Sequence, residues 1–594
     1  MTGVPTLSSW VDNSLVLGDN GIFVEEGHES IAYTDGKDVE RYLHRAFTSC
    51  SDLSSTSAEL ESWIKDWPSE YHLSRGRAQL LNGLSYDSSA TVMEVGCGCG
   101  AITRFLGETF DQVISVEGSI SRAKLARLRC REQDNVSIIS APFQNIRFKK
   151  KFDIIFCIGV FEYSQFFVDG EDPYSAIIRY FSDHLTEDGV LVLAIENQFG
   201  LKYFASASED HSGRRYDGIE GYYRGNGTAR TFGKDELRAI VQKDFPQVDF
   251  CFPFPDYKIV NGLVDEQALE KIDTGELIGH FTSRDYSKPY RPNFSERRAW
   301  LEIARNNQVA FFANSFLALA RKKSCEDATD SDRRLASFDH LALAYNRSRA
   351  EAFHTRTSIQ LDYNSGDIRV TKEPLNQPTE GSITLRGYEE AWCEGESLHA
   401  QMLTRAFAKD ASVNSIFSIC KPWLAHLHTN ANEAGSLPNN WVDAIWQNTF
   451  TDGGTVYFID QEWESRSAPG VKLLLIRACY QFLVDLRSYG AMPRALNKQT
   501  TSAIITQVGR LLGENISEGD LSQFLEFEAD LRSTARGETR SNSHRHIKRI
   551  LALNQRTIAL MFNAGEALNF VNFYLRKALR IANRLIQNRL QAPD

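Results

Sequence analysis

Short apolar runs alternate with stretches of helical spacing between residues 91 and 195. The runs occupy residues 92–95, 112–116, 152–158 and 189–195, and each has the length of a buried strand. Residues 101–108, which follow the first run, have the spacing of a helix. Strands that alternate with helices build a parallel sheet covered on both faces. The pattern therefore predicts an α/β fold with a doubly wound sheet.

The pattern changes on either side of this region. A polar, serine-rich stretch at 52–57 precedes a predicted helix over 59–67, and the aromatic run 250–257 precedes a predicted helix that ends near Arg321. The charged stretch 322–333 is typical of a linker. The predicted parts are an N-terminal segment 1–57, a domain 58–325 with a substrate-cap insertion, a second domain 340–532, and a tail 536–594.

The second domain begins with two strand-like pieces at 358–363 and 367–371, joined by a turn at 364–366, and continues with helical segments. The tail is basic and has apolar residues at roughly helical spacing, which predicts an amphipathic helix. Its basic residues include Arg576, Lys577, Arg580, Arg584 and Arg589. Such a helix either contacts an anionic membrane surface or packs on protein, and the pattern leaves both open.

Composition narrows the class of protein. With 594 residues, 42% hydrophobic and 24% charged, the chain has the composition of a folded protein with several domains. A net charge of -11 argues against nucleic-acid binding by the whole surface, so no nucleic-acid partner is expected. The 10 cysteines have no paired CxxC spacing, which favours reduced thiols. We expect a cytoplasmic protein, because neither a signal sequence nor a long apolar run is evident.

A glycine-rich turn joins the first apolar strand to its helix. Gly96, Gly98 and Gly100 allow a ligand to approach the backbone more closely than a Cβ would permit. About twenty residues later the next strand ends in Glu117, where its carboxylate can accept both hydroxyls of a ribose. The pair predicts a nucleotide-like cofactor. Nicotinamide and S-adenosylmethionine (SAM) sites share this pattern, and a simple tight turn is the structural alternative.

Four segments in order, 94–100, 117–119, 152–155 and 185–191, resemble the motif series of class I SAM-dependent methyltransferases, which have a Rossmann-like fold. The resemblance implies that the glycine loop contacts SAM, that Glu117 holds the ribose, and that residues 141–143 flank the adenine. Many relatives have an acidic residue for the adenine amine, where this chain has Gln144. The implied cofactor-binding residues in this domain are Tyr71, Arg75, Glu94, Gly96, Cys97, Gly98, Gly100, Glu117, Gly118, Ala141, Pro142, Phe143, Ile158 and Gly159. Tyr71 and Arg75 resemble a segment that closes over the cofactor, although an ordinary helix start fits them equally.

Ligands of open parallel sheets bind beyond the carboxyl ends of the strands, which selects residues 158–163 and 196–197. Glu196 and His211 are the predicted catalytic residues, since either could take a proton from an acceptor hydroxyl, and a histidine of ordinary pKa near ~6.5 is well suited to that task. The alternative is that residues 209–211 cap a loop or helix. Segments 194–204, 209–211 and 253–258 resemble bacterial methyltransferases of surface-polysaccharide synthesis, which implies a glycan acceptor.

A second constellation lies in the C-terminal half. Asp443, Asn448 five residues later and Asp460 at a strand end have the spacing of a phosphoryl-transfer site. They resemble the loops of kinase-like phosphotransferases, which implies a base role for Asp443, magnesium binding by Asn448 and Asp460, and phosphate binding by Lys372. ATP and Mg²⁺ would be the cofactors of this kinase-like α+β domain. An active kinase, a degenerate kinase and an unrelated helical domain all stay open, because no histidine precedes Asp443 by two and no glycine-rich loop is evident.

As a whole, the chain resembles the methyltransferase-kinases that terminate O-antigen chains. That resemblance implies SAM-dependent methylation of a saccharide in surface-polysaccharide synthesis, coupled to ATP-dependent phosphorylation. It also implies a glycan acceptor, glycosyltransferase partners and contact of the tail with the inner face of the membrane. The alternative is a membrane-side scaffold whose inactive kinase-like half recruits glycosyltransferases.

Overall fold

The computed structural model describes residues 7–12, 15–18, 20–25, 30–31, 35–223, 229–323, 335–377, 381–452, 454–486 and 493–554. The chain divides into two compact units. The first unit contains Met1–Pro292 and Trp300–Ala342, and the second contains Asn293–Ala299 and Leu343–Asp594.

The first unit is built from short strands and helices in alternation. Its strands are β1 Leu15–Leu17, β2 Phe23–Glu25, β3 Ser85–Tyr86, β4 Thr91–Val95, β5 Gln112–Glu117, β6 Val136–Ser140, β7 Phe152–Ile158, β8 Leu185–Glu196, β9 Gln247–Pro255, β10 Val260–Asp265, β11 Ser315–Arg321 and β12 Ala336–Ser337. Its helices are α1 Lys37–Ser49, α2 Ala58–Glu61, α3 Trp67–Leu73, α4 Gln79–Asn82, α5 Ala101–Thr109, α6 Ile120–Arg129, α7 Pro173–His184, α8 Leu201–Phe204, α9 Lys234–Val241, α10 Ala268–Lys271, α11 Gly275–Gly279, α12 Glu296–Arg305 and α13 Val309–Phe312. Helix α12 contains one of the boundaries between the units.

The main sheet of the first unit has the strand order β1-β2-β6-β5-β4-β7-β8-β11-β9-β10. Strands β2, β6, β5, β4, β7 and β8 pair in parallel. The chain runs from β4 outward to β6 and then returns to place β7 on the other side of β4. This reversal creates a crevice between the carboxyl ends of β4 and β7, which is where open α/β sheets bind their ligands.

The predicted α/β fold and its four parallel strands are confirmed. Strands β4, β5, β7 and β8 cover the four apolar runs, and helix α5 follows the glycines. The core lies between the sheet and its helices, since β4 to β8 are buried along almost their whole length.

The helix predicted to end near Arg321 is wrong. Residues 315–321 form β11, which pairs antiparallel with both β8 and β9. Its run of Ser, Phe, Leu and Ala is buried on both faces, and a short apolar run of this kind fits a buried strand as well as a helix. The neighbouring strands therefore decided the outcome.

The helix predicted over 59–67 is also wrong, because the chain forms two short helices there. Helix α2 ends at Glu61, and α3 starts at Trp67 with Asp66 as its N-cap and a proline in its first turn. A capping aspartate followed by proline is a helix-start signal, so this division could have been predicted.

The strands of the second unit are β13 Ala342–Asn346, β14 Thr355–Leu361, β15 Ile368–Pro374, β16 Ile383–Leu385, β17 Tyr388–Ala391, β18 Thr449–Asp452, β19 Thr455–Phe458 and β20 Trp463–Ser465. In this unit β13, β14, β15 and β17 are hydrogen-bonded neighbours in that order. Its helices are α14 Leu398–Ala406, α15 Val413–Phe417, α16 Lys421–Asn430, α17 Val471–Asp485, α18 Thr501–Leu512, α19 Glu518–Arg536 and α20 Arg540–Ala552. The predicted hairpin at 358–371 is confirmed, since β14 and β15 pair antiparallel.

Two predictions fall partly outside the described residues. The linker at 322–333 is described only to residue 323, and the basic tail only to residue 554. Within the described part of the tail, α20 is helical, whereas Arg576, Lys577, Arg580, Arg584 and Arg589 lie outside it. Among the helices of the described residues, none combines the length and apolarity needed to cross a bilayer.

Candidate functional site

The glycine loop between β4 and α5 lies at the crevice. Gly96, Gly98 and Gly100 have φ angles of 73°, 56° and 85°, a region that side chains other than glycine rarely adopt. A Cβ on Gly100 would lie 2.8 Å from the Cα of Ala126, and a Cβ on Gly96 would collide with the side chain of Val160. Because Val160 follows β7, the loop closes directly against the neighbouring strand end.

The collision at Gly96 gives a prediction about the loop. We expect Gly96→Ala to lower the free energy of unfolding by about 2 kcal/mol, because overpacking and a strained φ act together. Val160→Ala in the same chain should recover part of that loss, since it removes the atoms that the new Cβ meets. Denaturant unfolding of both single variants and the double variant measures the coupling. Strictly additive effects would contradict the contact.

Glu117 is the last residue of β5 and is 7% exposed. Gly98 N–H donates to its Oε2 at 2.7 Å, and Ser119 N–H donates to its Oε1 at 2.9 Å. These two bonds fix the carboxylate against the glycine loop. A carboxylate has about four acceptor positions, so two remain for hydroxyl donors such as those of a ribose.

Glu94 lies on β4 beneath the loop and is buried. Its Oε2 accepts a hydrogen bond from Ser115 Oγ at 2.7 Å. Burial raises the pKa of Glu94 to about 7, although the bond from Ser115 opposes the shift. The carboxyl group is therefore poised between its two protonation states near neutral pH.

The raised pKa of Glu94 makes stability depend on pH. An acid with a raised folded pKa contributes stability below its unfolded pKa and loses it as pH rises through the folded value. Relative to Glu94→Gln, the wild type should therefore lose about 1.5 kcal/mol between about pH 4.5 and pH 6. Urea unfolding of both proteins across that range tests this, and two parallel stability curves would contradict it.

Residues 141–144 follow β6 and lie beside Glu117. Ala141 N–H donates to the main-chain oxygen of Glu117 at 3.2 Å, and Pro142 leads into a short turn. Phe143 packs against Phe167 and other rings. The amide nitrogen of Gln144 donates to Phe167 O at 2.9 Å, while its buried Oε1 has no hydrogen-bond partner. That oxygen can accept a hydrogen bond from an amine.

The segment around Tyr71 approaches the same crevice. Tyr71 lies in α3, so the helix expected as the alternative is present, and Arg75 pairs with Glu61 at 3.0 Å. The guanidinium of Arg77 lies 4.2 Å from the centre of the Tyr71 ring and donates to Lys258 O at 2.8 Å. This segment therefore connects the helix to the chain that follows β9.

The remaining predicted cofactor residues line the loop and the end of β7. Burial raises the pKa of the Cys97 thiol well above its usual range. A Cβ on Gly118 would collide with Ile31, and a Cβ on Gly159, after Ile158, would lie 2.6 Å from Tyr257 Oη. The backbone is therefore closely covered on both sides of the crevice.

A buried group of acids and a histidine lies at the carboxyl ends of β7 and β8. Glu196 is fully buried at the end of β8, and its Oε2 lies 3.5 Å from Nε2 of His211. Glu162 follows β7 and is 1% exposed. One donor atom from each of these three residues lies within 4.8 Å of the others. Tyr163 Oη lies 3.1 Å from His211 Nδ1. The two predicted catalytic residues are therefore in contact.

The expectation of an ordinary pKa for His211 is wrong. Burial opposes protonation, but the ion pair with Glu196 outweighs it and raises the pKa of His211 to about 9. Burial likewise opposes ionisation of Glu196, yet Lys258 and His211 hold its pKa well below the usual range. Burial, together with the charge of Glu196, raises the pKa of Glu162 to about 8. Residues 209–211 also have the loop-capping contact that was the alternative interpretation, because Glu209 accepts a hydrogen bond from the main-chain N–H of His211 at 2.9 Å.

Two buried lysines complete this cluster and were missed by sequence reasoning. Lys202 pairs with Asp210 at 2.7 Å and with Asp256 at 3.4 Å. Lys258 pairs with Asp210 at 3.2 Å and also contacts Glu196. Each of these lysines lies in a mostly apolar segment of the sequence. That position could have indicated a buried ion pair, because a lysine is almost never fully buried without a partner.

The second unit brings its own predicted residues together in two groups. In the first group, Lys372 on β15 contacts Asp460 and lies 3.2 Å from Glu462. Tyr388 Oη donates to Asp460 at 2.8 Å, and Asp460 has a positive φ of 56°. Residues 88 positions apart in sequence therefore meet beside the sheet of this unit.

In the second group, Asn448 Nδ2 donates to Asp443 O at 3.0 Å. The carboxylate of Asp443 is 2.5 Å from Arg477, which also pairs with Glu528 at 2.9 Å. Asp443 is thus held in a buried ion pair. Sequence reasoning did not identify Arg477.

The comparisons with known proteins concern the first unit. Residues 92–189 match the family model of the methyltransferase domain. No curated protein matches the chain.

Similar solved structures include a SAM-dependent methyltransferase from Thermotoga maritima, with 16% identity over 42% of this chain and 88% of that one and a TM-score of 0.25. The N-methyltransferase NodS from Bradyrhizobium japonicum is 16% identical over 37% of this chain and 94% of its own, with a TM-score of 0.23. The family match runs from β4 into the first part of β8 and includes the glycine loop and Glu117. The first unit therefore carries a methyltransferase domain over residues 92–189.

Proposed function

We propose that this enzyme transfers a methyl group from SAM to a hydroxyl of a saccharide in surface-polysaccharide synthesis. The observation that carries the proposal is the position of Glu117. Its carboxylate is fixed by Gly98 N–H and Ser119 N–H at the crevice, where two acceptor positions remain for a ribose. The glycine loop then faces the methionine part of the cofactor, and the free Oε1 of Gln144 accepts a bond from the adenine amine.

The acceptor end of the crevice is the buried cluster around Glu196 and His211. Bound SAM supplies an electrophilic methyl on a sulfonium, which an acceptor oxygen attacks to leave S-adenosylhomocysteine and a proton. Glu196 is placed to receive that proton, because its carboxylate is held ionised beside Lys258 and His211, whose raised pKa keeps the imidazole protonated. Carboxylates, an imidazole and the Tyr163 hydroxyl lie together at these strand ends, and such groups suit an acceptor rich in hydroxyl groups.

The experiment measures incorporation of labelled methyl from SAM into a lipid-linked or polysaccharide extract. We expect incorporation by the wild type and none by Gly96→Asp, which blocks the loop. Each reaction is run with and without ATP and Mg²⁺. Label that enters protein or nucleic acid instead of glycan would overturn the acceptor class, while equal labelling by the wild type and Gly96→Asp would overturn the assignment of the reaction to this site.

A second activity, phosphoryl transfer by the second unit, is favoured by the contact between Lys372 and Asp460. In kinase-like sites a lysine of the sheet holds phosphate oxygens and an aspartate at a strand end holds Mg²⁺. We propose that this unit binds ATP with Mg²⁺ through Lys372, Asn448 and Asp460, and that it makes the phosphate to which methylation is coupled.

Thermal unfolding with ATP and Mg²⁺ tests this second activity. We expect the nucleotide to raise the melting temperature of the wild type and of Lys472→Met, an exposed lysine of the same unit, but not of Lys372→Met or Asp460→Asn. Methyl incorporation that requires ATP would support the coupling. Equal stabilisation of all four proteins would place the nucleotide elsewhere.

A further inference from the structure

Three donor groups at the strand ends have the arrangement of a metal site. One donor atom from each of Glu162, Glu196 and His211 lies within 4.8 Å of the other two. The separation between Glu196 Oε2 and His211 Nε2 is 3.5 Å. A tetrahedral ion with bonds of about 2.1 Å holds neighbouring donors about 3.4 Å apart, so that pair already has the required spacing.

The donors are buried and poorly satisfied by the protein. Glu162 is 1% exposed and Glu196 is fully buried. Glu162 Oε2 is buried without a hydrogen-bond partner, while the oxygens of Glu196 are contacted by Lys258 on Oε1 and by His211 Nε2 at 3.5 Å on Oε2. Leaving a buried polar atom unpaired is costly, and a coordinated cation satisfies such atoms at once.

Neighbouring side chains hold the donors in orientations that suit a metal ion. Tyr163 Oη lies 3.1 Å from His211 Nδ1, which leaves Nε2 directed to the cluster. Lys258 contacts Oε1 of Glu196, whereas His211 approaches Oε2. His211 and Glu196 therefore each have a partner on the atom that a metal would not use.

The formal charges also favour a cation. Lys202 and Lys258 share the carboxylates of Asp210, Asp256 and Glu196 among them. A metal-bound His211 must be neutral, and the three carboxylates then outnumber the two lysines. A divalent cation in place of the His211 proton would offset that excess of negative charge.

We propose that Glu162, Glu196 and His211 bind a divalent first-row metal ion such as Mn²⁺ or Zn²⁺. Two carboxylates and one imidazole suit these metals, and three protein ligands leave a coordination position open for water or an acceptor oxygen. Binding of the metal does not depend on the proposed methyl acceptor, so this inference and the proposed function can fail separately.

The test titrates chelator-treated full-length protein with Mn²⁺ alone. The readout is the electron paramagnetic resonance signal of free Mn²⁺, which falls as the ion binds. We expect a site in the wild type whose affinity falls at least about tenfold in Glu162→Gln and in His211→Gln. Asp256→Asn is the matched control, because it removes a carboxylate of the same cluster that is not one of the three donors. Asp460→Asn is the second control and separates this site from any Mn²⁺ bound by the second unit. Both controls should keep the site, and any loss of affinity in Asp256→Asn should stay well below tenfold, because that substitution changes the surrounding charge and removes no donor.

Two results would overturn the proposal. One is the absence of Mn²⁺ binding by the wild type at millimolar concentration. The other is equal affinity in the wild type, Glu162→Gln and His211→Gln. Thermal melting confirms that each variant is folded, and a single folded ligand variant is sufficient for the comparison.

Discussion

Glu117→Ala should weaken SAM binding by about 100-fold or more in calorimetric titration. Hydrogen bonds from two hydroxyls to a carboxylate are worth about 3 kcal/mol together, and about 1.4 kcal/mol corresponds to a factor of ten. The substitution also frees Gly98 N–H and Ser119 N–H, which now hold the loop against the strand end. The loss should therefore exceed that of the ribose contacts alone.

The control for Glu117 is a carboxylate at the opposite end of the same sheet. Asp153 accepts bonds from the main chain and hydroxyl of Thr91, at the amino ends of β7 and β4. Asp153→Asn should leave SAM affinity unchanged, even if the protein becomes less stable. Undiminished affinity in Glu117→Ala would reject the assignment of the cofactor site.

Arg477→Met should lower the free energy of unfolding of the second unit by about 3 to 5 kcal/mol. Arg477 is 4% exposed and pairs with Asp443 and Glu528, which are 8% and 4% exposed. Methionine fills a similar volume but leaves two carboxylates buried without their cation. That unpaired state, and not the worth of the ion pair itself, accounts for the large effect.

Denaturant unfolding monitored by circular dichroism measures this loss. Arg540→Met is the matched control, because Arg540 is 55% exposed and pairs with Glu526 and Asp530 at the surface. An exposed pair contributes no more than about 1 kcal/mol, so the control should change stability little. Equal losses of stability in the two variants would contradict this prediction. They would show that the buried carboxylates of Asp443 and Glu528 do not depend on Arg477 for compensation of their charge.

The sequence predicted the part of the candidate site that depends on local conformation. Gly96, Gly98 and Gly100 are required by positive φ angles, and Glu117 ends a strand whose apolar run is legible in the sequence. The hairpin of the second unit was predicted for the same reason, since its turn residues lie between two short strands. Such features are set by residues close together in the chain.

The errors came from segments whose local pattern is ambiguous. Residues 315–321 form a strand because β8 and β9 present unpaired backbone groups on either side of it. The ordinary pKa expected for His211 failed because Glu196, which is distant in sequence, lies against its ring in a buried site. The flanking strands and Glu196 cannot be recognised as neighbours from the residues adjacent to these segments in the chain.

The sequence by itself determined the positions of the parallel strands, the glycine loop and the acidic residue that ends β5, because hydrophobic period and backbone conformation are local properties. Only the tertiary structure decided which distant charges share a buried site. It placed Lys202 and Lys258 among the acids near His211, and it placed Lys372 beside Asp460. Electrostatic energies in a buried site depend on distance and on the exclusion of water, and the folded chain alone sets both.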